Sequence, residues 1–360
     1  MKIAFINMFS GVVNRGAETF VHEVIKRLGK QNEVTLFQFG EKRGRENYKV
    51  VSVPLKINWK SKDMTGTFWR RLFLDYWSLL ILIFTLKTVR KIFKEKYDIV
   101  IPLNGGWQPA LIRIVTWFYG GKMVISGQSG IGWDDRNNLW CFPDAFIAPS
   151  SHAKKWASKV NPFIKVVYIP NGVDVQKFNP VGDKLEIDLN KPIILTVGAL
   201  TPTKRISLVI KAVSRLKSAS LLIVGDGELK EELEDLGKKL LKERFQLIKL
   251  PFELIPNAYR SADLFTLVSE PYYSFEIVLV EAMATNLPVV ANDDLIRREI
   301  VGDSGIFVDP SDIEKYAKML EKALKTDWGD KPVKQAEKFS WDGIAKKYAN
   351  FFSEIINKKD

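Results

Sequence analysis

Cysteine and histidine are almost missing from this sequence of 360 residues. The lone cysteine, Cys141, excludes a disulfide within the chain. No cysteine and histidine cluster has metal-ligand spacing, and the two histidines, His22 and His152, leave few candidates for a Ser-His-Asp arrangement. We therefore expect neither a disulfide framework nor a metal site.

A hydrophobic run long enough to span a membrane is also missing. The longest uncharged run of the apolar segment Phe68–Tyr97 is Tyr76–Leu86, with eleven residues, whereas a spanning helix needs ~20. The opening residues, MKIAFINMF, contain a short apolar stretch without a convincing cleavage site after it. We therefore expect this stretch to be a first strand and the protein to be cytoplasmic.

Positive charge is distributed unevenly along the chain. Residues 1–180 hold 27 lysines and arginines against 13 aspartates and glutamates, a net charge of +14. Residues 181–360 hold 27 against 29, a net charge of −2. This asymmetry predicts an anionic partner for the first half. Because no compact nucleic-acid motif is present, an anionic membrane surface is the better match, and no nucleic-acid partner is expected.

The segment Phe68–Tyr97 combines aromatic residues with clustered lysines and arginines. It is either a buried helix of the first domain or a helix at the membrane interface, where rings and cations together act as an anchor. The two interpretations are compatible if one end packs on the protein and the other on lipid. Residues 68–97 are thus expected to make a peripheral contact with the inner membrane face.

Short apolar runs alternate with helical patterns along the whole chain, which predicts an α/β protein. At 360 residues, two domains are expected. Lys2–Asn7 is a strand, Met8–Gly16 a glycine-punctuated loop, and a helix follows from Ala17, an arrangement that suits phosphate binding. Further strands are predicted at Val34–Phe39, Val50–Leu55, Asp98–Leu103, Met123–Ser126, Ala145–Ala148 and Val166–Ile169, and then at Ile193–Val197, Leu221–Val224, Phe245–Lys249, Leu264–Val268 and Val289–Ala291.

The stretch Ala262–Asn292 predicts a strand, a polar and aromatic loop, a helix and a second strand. The first turn of such a helix directs unpaired backbone N–H groups and a positive dipole end towards the end of the sheet, where an anion can bind. Glu281 lies more than one turn into this helix. Its carboxylate is either simply exposed or placed to accept hydrogen bonds from a sugar diol.

Within this stretch, Ser274–Ala291 (SFEIVLVEAMATNLPVVA) resembles the signature helix of the family-4 retaining glycosyltransferases, which have the GT-B fold. The resemblance implies two doubly wound Rossmann-like domains facing across a cleft. The family's ribose-binding glutamate corresponds to Glu281. Tyr273 stands where the family has its first glutamate, and Glu276 stands where it has the second glycine of Gly-Phe-Gly. Glu276 is a catalytic candidate expected to reach the donor sugar or a phosphate oxygen, where an ionised carboxylate is repelled unless it is paired.

The segment VGALTPTKRISLVIKAV resembles the part of the family that holds the donor diphosphate. Gly198 and Lys204 are retained, and Ala199 replaces the usual arginine. Arg205, which follows Lys204, is a partial substitute for that missing arginine. The diphosphate gains negative charge as the glycosidic bond breaks, and stabilising such charge is usually the largest catalytic term. Lys204 is therefore the main catalytic candidate, and Lys204→Ala is expected to cost turnover far more than fold stability.

Other family positions complete the expected donor site. Gly16, in RGAETFVHEVIKRL, corresponds to a glycine that approaches the diphosphate. Phe275, Ile277 and Val278 form the helix start that faces it. Phe252, in KLPFEL, corresponds to a position near the nucleobase.

The segment IPNGVDVQKFNP resembles the family's interdomain junction and contains the turn-forming sequence Pro-Asn-Gly. The expected boundaries are residues 1–170 for the acceptor-side domain, 171–190 for the linker and 191–335 for the nucleotide-sugar-binding domain. The resemblance implies that a terminal helix, residues 336–360, crosses back onto the first domain.

The acceptor is expected to meet the polar, glycine-rich segment Ser126–Trp140, which follows a strand of the first domain. Trp133, Asp134 and Arg136 are the candidates, with Trp133 able to stack on a sugar ring. The alternative is a solvated turn. The adjacent acids Asp134 and Asp135 are weak evidence for a metal site because further ligands are missing.

The resemblance implies a hexosyltransferase that moves a sugar from a nucleotide diphosphate sugar to a glycan or lipid-linked acceptor, with retention, without a metal and without another cofactor. UDP and GDP both remain open as the nucleotide. Because Tyr273 and Ala199 replace functional residues, a non-catalytic sugar-nucleotide-binding subunit is one alternative. Another enzyme with the GT-B fold, such as a sugar-nucleotide epimerase, is a second. A nicotinamide oxidoreductase is disfavoured because neither strand–glycine loop has the full G-x-G-x-x-G fingerprint.

Overall fold

The computed structural model describes residues 1–13, 15–41, 47–59, 61, 67–272 and 274–357. The chain divides into two compact units. Met1–Asn171 and Asp342–Asp360 form the first unit, and Gly172–Trp341 forms the second. Each unit is built on a parallel sheet with helices between its strands, which confirms the Rossmann-like α/β class predicted from the sequence.

The strands of the first unit are β1 (Lys2–Ile6), β2 (Glu33–Gln38), β3 (Lys49–Ser52), β4 (Ile99–Pro102), β5 (Lys122–Ser126), β6 (Ala145–Ala148) and β7 (Lys165–Tyr168). They form one parallel sheet in the order β3–β2–β1–β4–β5–β6–β7. Every residue of β4 is buried, as expected for a strand covered on both faces. The strand order reverses between β1 and β4, which leaves a crevice at their carboxyl ends.

The helices of this unit are α1 (Gly16–Leu28), α2 (Phe68–Arg71), α3 (Tyr76–Glu95), α4 (Trp107–Tyr119), α5 (Trp133–Trp140), α6 (Ser151–Val160) and, from Asp342 on, the C-terminal helix α14 (Trp341–Asn357). Helix α14 packs on the sheet of this unit. The hydroxyl of Tyr348 lies 3.1 Å from the Oγ atom of Ser126, and its ring packs against Phe20.

Helix α3 forms most of the apolar segment singled out above. Asp75 starts it by accepting hydrogen bonds from the backbone N–H groups of Trp77 and Ser78. The buried face of α3 carries Leu80, Phe84 and Ile92. The buried-helix interpretation is therefore correct for this face, while the opposite face is exposed.

One segment among the described residues, Phe68–Glu95, is long and apolar enough by length and composition to cross a membrane. The most apolar 18-residue stretch of this segment is 39% buried inside the protein. Core helices of water-soluble proteins pass the same test, so this observation is weak evidence for a membrane span.

The strands of the second unit are β8 (Ile193–Val197), β9 (Ser220–Val224), β10 (Phe245–Ile248), β11 (Leu264–Leu267), β12 (Val289–Asn292) and β13 (Gly305–Val308). They form a parallel sheet in the order β10–β9–β8–β11–β12–β13. The sequence pattern missed β13, a four-residue edge strand that begins with glycine and is only partly buried. The helices are α7 (Ile206–Ser214), α8 (Lys230–Leu241), α9 (Ile255–Ser261), α10 (Ile277–Ala284), α11 (Leu295–Val301), α12 (Ile313–Lys325) and α13 (Lys331–Glu337).

The linker expected from the sequence is residues 171–190; Asn171 belongs to the first unit, and residues 172–190 pack as part of the second. The backbone N–H of Leu185 donates to the Oγ atom of Ser261 at 2.7 Å. The Nζ atom of Lys177 lies 3.6 Å from the centre of the Phe252 ring. The chain therefore enters the second unit at Gly172.

Candidate functional site

The candidate site of the second unit lies at the carboxyl ends of β8 and β11. These strands are neighbours at the point where the strand order reverses, so the loops that follow them diverge and leave a crevice. The loop after β8 runs from Gly198 to Arg205, and the loop after β11 runs from Val268 to Glu276. The predicted residues of both loops, including Lys204, are thus brought to one edge of the sheet.

Lys204 and Glu276 form a close ion pair at this edge. The Nζ atom of Lys204 lies 2.7 Å from Oε1 and 2.6 Å from Oε2 of Glu276. Burial raises the pKa of Glu276, but the charges of Lys204 and Arg297 and hydrogen bonds from Lys204 and Ser269 outweigh burial and lower the pKa below its ordinary value. Glu276 is therefore an ionised carboxylate, and it has the partner that such a group requires.

The backbone of Glu276 is unusual for a residue with a side chain. It lies immediately before α10 with φ 59° and ψ 75°, in the left-handed region. A residue other than glycine adopts this conformation at a cost of roughly 1–2 kcal/mol. The ion pair with Lys204 holds the carboxylate beside the first turn of α10, where the helix presents backbone N–H groups.

Arg297 of α11 also belongs to this cluster, although nothing in its sequence pattern singles it out. It is 1% exposed, and its Nη2 atom donates to the Oγ atom of Ser269 at 2.7 Å and lies 3.5 Å from Oε1 of Glu276. Its Nη1 atom lies 3.5 Å from Oδ2 of Asp294, the residue that starts α11. In the sequence, Asp294 signals a helix start, but nothing indicates that the arginine three residues later is buried.

Arg205 ties the two loops of the site together. Its Nε atom donates to the carbonyl oxygen of Val268 at 2.7 Å, and its Nη2 atom donates to that of Ser269 at 2.6 Å. The guanidinium thus fixes the loop that carries Lys204 against the end of β11. Gly198 lies at the other end of this loop, and a Cβ atom built there meets no atom within 4 Å.

Glu281 is buried inside the second unit, so the interpretation of a simply exposed helix residue is wrong. The hydroxyl of Tyr259 donates to its Oε2 atom at 3.0 Å. Burial, the charge of Glu281 and the hydrogen bond with it raise the pKa of Tyr259 well above its ordinary value. Tyr259 therefore remains a neutral donor that fixes the orientation of the carboxylate.

The remaining predicted donor residues of this unit differ in how they are placed. The ring of Phe275 is buried against Phe339, with ring centres 5.7 Å apart. Ile277 and Val278 form the first turn of α10. Phe252 lies in a short 3-10 turn after β10, under the ammonium group of Lys177 described above. Tyr273 lies outside the described residues.

Gly16 and the acceptor-side candidates belong to the first unit. Gly16 is the first residue of α1. Asp134 accepts two hydrogen bonds from Nη2 of Arg70, at 2.9 and 2.8 Å, and the Nε1 atom of Trp133 donates to the carbonyl oxygen of Arg71 at 3.1 Å. Hydrogen bonds to α2 therefore fix the side chains of Trp133 and Asp134 in place.

The alternative of a solvated turn for Ser126–Trp140 is wrong, because the second half of this segment is helix α5. Asp135 is buried in the first turn of α5, while Arg136 is exposed. Within the described ranges, no three histidine, cysteine, aspartate or glutamate side chains are grouped as a metal ion would require.

The chemistry of the second-unit cluster is that of an anion site. At the switch point of the parallel sheet, the ammonium group of Lys204 contacts Glu276, the residue immediately before the first turn of α10, where backbone N–H groups are presented. A buried carboxylate, Glu281, lies one turn further along the same helix, where it can accept hydrogen bonds from hydroxyl groups. Such an arrangement suits a ligand that combines phosphate groups with a diol.

Both halves of the chain match family models. Residues 14–177 match Glycosyltransferase Family 4, and residues 181–340 match Glycosyl transferases group 1. The chain is 32% identical over 217 residues to an uncharacterized glycosyltransferase of Methanocaldococcus jannaschii, covering 52% of this chain and 53% of that protein. It is 35% identical over 191 residues to the phosphatidyl-myo-inositol mannosyltransferase of Mycolicibacterium smegmatis, covering 50% and 48%. The chain spans about half or less of the length of the curated relatives it matches.

Solved structures share the fold over nearly the whole chain. HepE of Anabaena in complex with UDP-glucose superposes with a TM-score of 0.75 at 18% identity, covering 98% of this chain and all of that one. Sucrose-phosphate synthase of Thermosynechococcus elongatus superposes with a TM-score of 0.78 at 18% identity, covering 99% and 100%. At this level of identity the likeness extends to the fold alone.

Proposed function

Because the chain belongs to the family-4 glycosyltransferases with the GT-B fold, we propose that it transfers a hexose from a nucleotide diphosphate sugar to a glycan or lipid-linked acceptor. The transfer retains the anomeric configuration and needs no metal ion. The observation that carries this proposal is the meeting of Lys204 and the first turn of α10 at the carboxyl ends of β8 and β11. A cation beside a helix start at the switch point of a parallel sheet is an arrangement that suits phosphate binding, and it supports this proposal.

In the proposed reaction, the bond between the anomeric carbon and the diphosphate breaks while the acceptor oxygen bonds to the same carbon from the same face. The acceptor proton passes to a phosphate oxygen, so the protein needs no nucleophile. Lys204 and the N–H groups of Ile277 and Val278 stabilise the charge that develops on the diphosphate. Glu281, oriented by Tyr259, accepts hydrogen bonds from the ribose hydroxyls.

The names of two relatives support a lipid-linked acceptor. One is the phosphatidyl-myo-inositol mannosyltransferase of Mycolicibacterium smegmatis. The other is a Campylobacter jejuni enzyme named as an N-acetylgalactosaminyltransferase acting on a diphospho-undecaprenol, 32% identical over 196 residues. We extend this acceptor class to the present chain as part of the proposal.

An exposed apolar surface on the first unit supports an acceptor at a membrane. Helices α3 and α4 pack side by side. The α3–α4 apolar surface consists of Leu79, Ile83, Leu86 and Phe93 of α3 and Ile114, Trp117 and Phe118 of α4, all exposed. The exposed cations Lys87, Arg90 and Lys94 are interleaved with these side chains on α3. We propose that this surface docks on an anionic phospholipid bilayer and holds the protein at the cytoplasmic face of the membrane.

A thermal-shift panel of nucleotides and nucleotide sugars tests the donor site. A ligand that binds only the folded protein, at ~100 times its dissociation constant, stabilises it by roughly 2.7 kcal/mol. We expect a shift for one nucleotide family. Glu281→Gln, which keeps an oxygen for Tyr259, should reduce that shift because a charged acceptor of the ribose is lost.

Two outcomes would count against the proposal. Wild-type protein that melts cooperatively but gives no shift with any nucleotide would contradict the donor site. A shift without sugar transfer to any lipid-linked or glycan acceptor would instead favour the non-catalytic, nucleotide-binding subunit.

A further inference from the structure

Glu276 occupies a backbone position that suits glycine. Its φ of 59° lies in the left-handed region, and the signature helix that this segment resembles has glycine there. A strained conformation of this kind persists only where the surrounding structure holds it, and such residues cluster at functional sites. Because glycine would fit this backbone without strain, the side chain at this position points to a role for the carboxylate of Glu276.

That carboxylate lies inside a cluster of matched charges. Both of its oxygens contact the ammonium group of Lys204, and Arg297 lies 3.5 Å from one of them. Arg297 in turn lies 3.5 Å from Asp294. Two cations thus face two carboxylates, and the positive charge that a phosphate ligand would meet at Lys204 is already balanced by Glu276.

A diphosphate bound at the start of α10 must share Lys204 with Glu276 or take its place. The phosphate that has released its sugar ionises a second time near neutral pH, so the product diphosphate carries more negative charge than the donor. The fixed charge of Glu276 repels the more highly charged ligand more strongly, and this effect is large where water is partly excluded.

We propose that Glu276 is a specificity-determining residue of the donor site. Its negative charge weakens binding of the nucleoside diphosphate product relative to the sugar-bearing donor and so favours product release. This inference rests on the proposed function, because it requires the diphosphate to bind beside Lys204.

Two variants separate the charge of Glu276 from its backbone conformation. Glu276→Gln keeps the shape of the side chain and an oxygen that can accept from Lys204, but removes the charge. Glu276→Gly removes the charge and relieves the left-handed strain. In both variants we expect nucleoside diphosphate to bind about tenfold more tightly, with a clearly smaller gain for the nucleotide sugar. In turnover assays, product inhibition should become correspondingly stronger.

The measurement is isothermal titration calorimetry with UDP, UDP-glucose, GDP and GDP-mannose against wild type, both Glu276 variants and Glu281→Gln. Circular dichroism melts establish that each variant is folded. An increased ratio of product to donor affinity in both Glu276 variants supports the proposal. An unchanged ratio, or an equal gain for donor and product, overturns it, while weakened nucleotide binding in Glu281→Gln leaves the proposed function standing. If no protein in the set binds any nucleotide, the proposed function fails, and this inference fails with it.

Discussion

At the scale of single residues, Lys204 and Glu276 act as one unit. From the sequence, Lys204 is expected to matter for turnover far more than for stability. The structure adds a second effect, because removing Lys204 takes away the main ion-pair partner of the buried Glu276 carboxylate and leaves it with Ser269 and a 3.5 Å approach to Arg297. Breaking one side of a buried pair is destabilising even where the pair itself adds little stability.

The first prediction concerns this pair. Lys204→Ala should abolish detectable turnover and also lower stability by roughly 3 kcal/mol, because the Glu276 carboxylate is left buried without its main partner. The double variant Lys204→Ala/Glu276→Gln should regain most of the lost stability but none of the turnover. Thermal midpoints and sugar-transfer rates of the three proteins separate the two effects. If Lys204→Ala were as stable and as active as wild type, this would contradict both the role of Lys204 in turnover and its role as the partner of the Glu276 carboxylate.

Asp135 gives a second prediction, on pH dependence. Burial raises its pKa to about 8, with a smaller contribution from the charge of Asp134 and a partial offset by a hydrogen bond from Asn138. The folded chain therefore keeps a proton that the unfolded chain, with an aspartate pKa of ~3.9, has already lost. Stability should fall as the pH rises from ~4 to about 8.

Asp135→Asn should remove this contribution, because the amide stays neutral throughout. Its thermal midpoint should exceed that of wild type at pH 8, with a smaller difference at pH 5. Asp134→Asn is the matched control, since Asp134 is only partly buried and pairs with Arg70. It removes only the smaller contribution to the raised pKa of Asp135, so most of the pH dependence should remain. Parallel midpoint curves for wild type and Asp135→Asn would show that Asp135 titrates normally.

At the scale of elements, the regular parts of the fold could be predicted, because buried parallel strands appear as short apolar runs between helical patterns. Two elements, β13 and α5, could not be predicted, and each has a physical reason. Strand β13 is short, begins with glycine and lies at an edge, so its pattern is weak. Helix α5 was missed because its sequence is polar and follows glycines, although Asp135 and Leu139 are buried within it.

The candidate site could be predicted only in part. The start of α10 could be predicted because it lies in a recognisable strand–loop–helix unit, whereas Lys204 is singled out by the resemblance of its segment to the family's diphosphate-binding loop. The sequence could not show that Arg297 is buried or that Tyr259 donates to Glu281. Those contacts join segments that are distant in sequence, and the residues involved look like ordinary polar positions of exposed helices.

The packing of two adjacent loops gives the third prediction. A Cβ atom at Gly225, just after β9, would lie 2.0 Å from the carbonyl oxygen of Gly198. Gly225→Ala should therefore displace the loop after β8 and lower stability by ~1–3 kcal/mol. Gly198→Ala is the matched control, because its Cβ atom meets nothing within 4 Å, and its effect on stability should stay within about 0.5 kcal/mol.

Nucleotide binding distinguishes the two glycine variants further. Gly198→Ala should weaken nucleotide binding without lowering the thermal midpoint, since the added methyl group occupies the open side of the loop proposed to bind the donor. Equal thermal midpoints for Gly225→Ala and Gly198→Ala would mean that the loop after β8 can move away from residue 225 without a loss of stability.

At the scale of the whole molecule, the uneven charge and the α3–α4 apolar surface belong to the same half of the chain. The first half carries a net charge of +14, and the exposed apolar side chains of α3 and α4 lie among cations. Apolar contact gives binding that salt affects little, whereas attraction of cations to anionic lipid is screened as ionic strength rises. The proposed membrane contact should therefore depend both on the exposed apolar side chains and on the cations around them.

The last prediction is that the protein sediments with phosphatidylglycerol vesicles at low salt, binds phosphatidylcholine vesicles weakly, and loses part of its binding as salt is raised. Trp117→Ser/Phe118→Ser should weaken binding by tenfold or more, because two large side chains no longer enter the interface, each worth roughly 1.5–3 kcal/mol. Phe163→Ser is the control: Phe163 is 82% exposed but lies outside this surface. If the double variant bound like wild type, or instead lost a self-association of wild type, the surface would be a protein interface or unused, and the membrane proposal would be wrong.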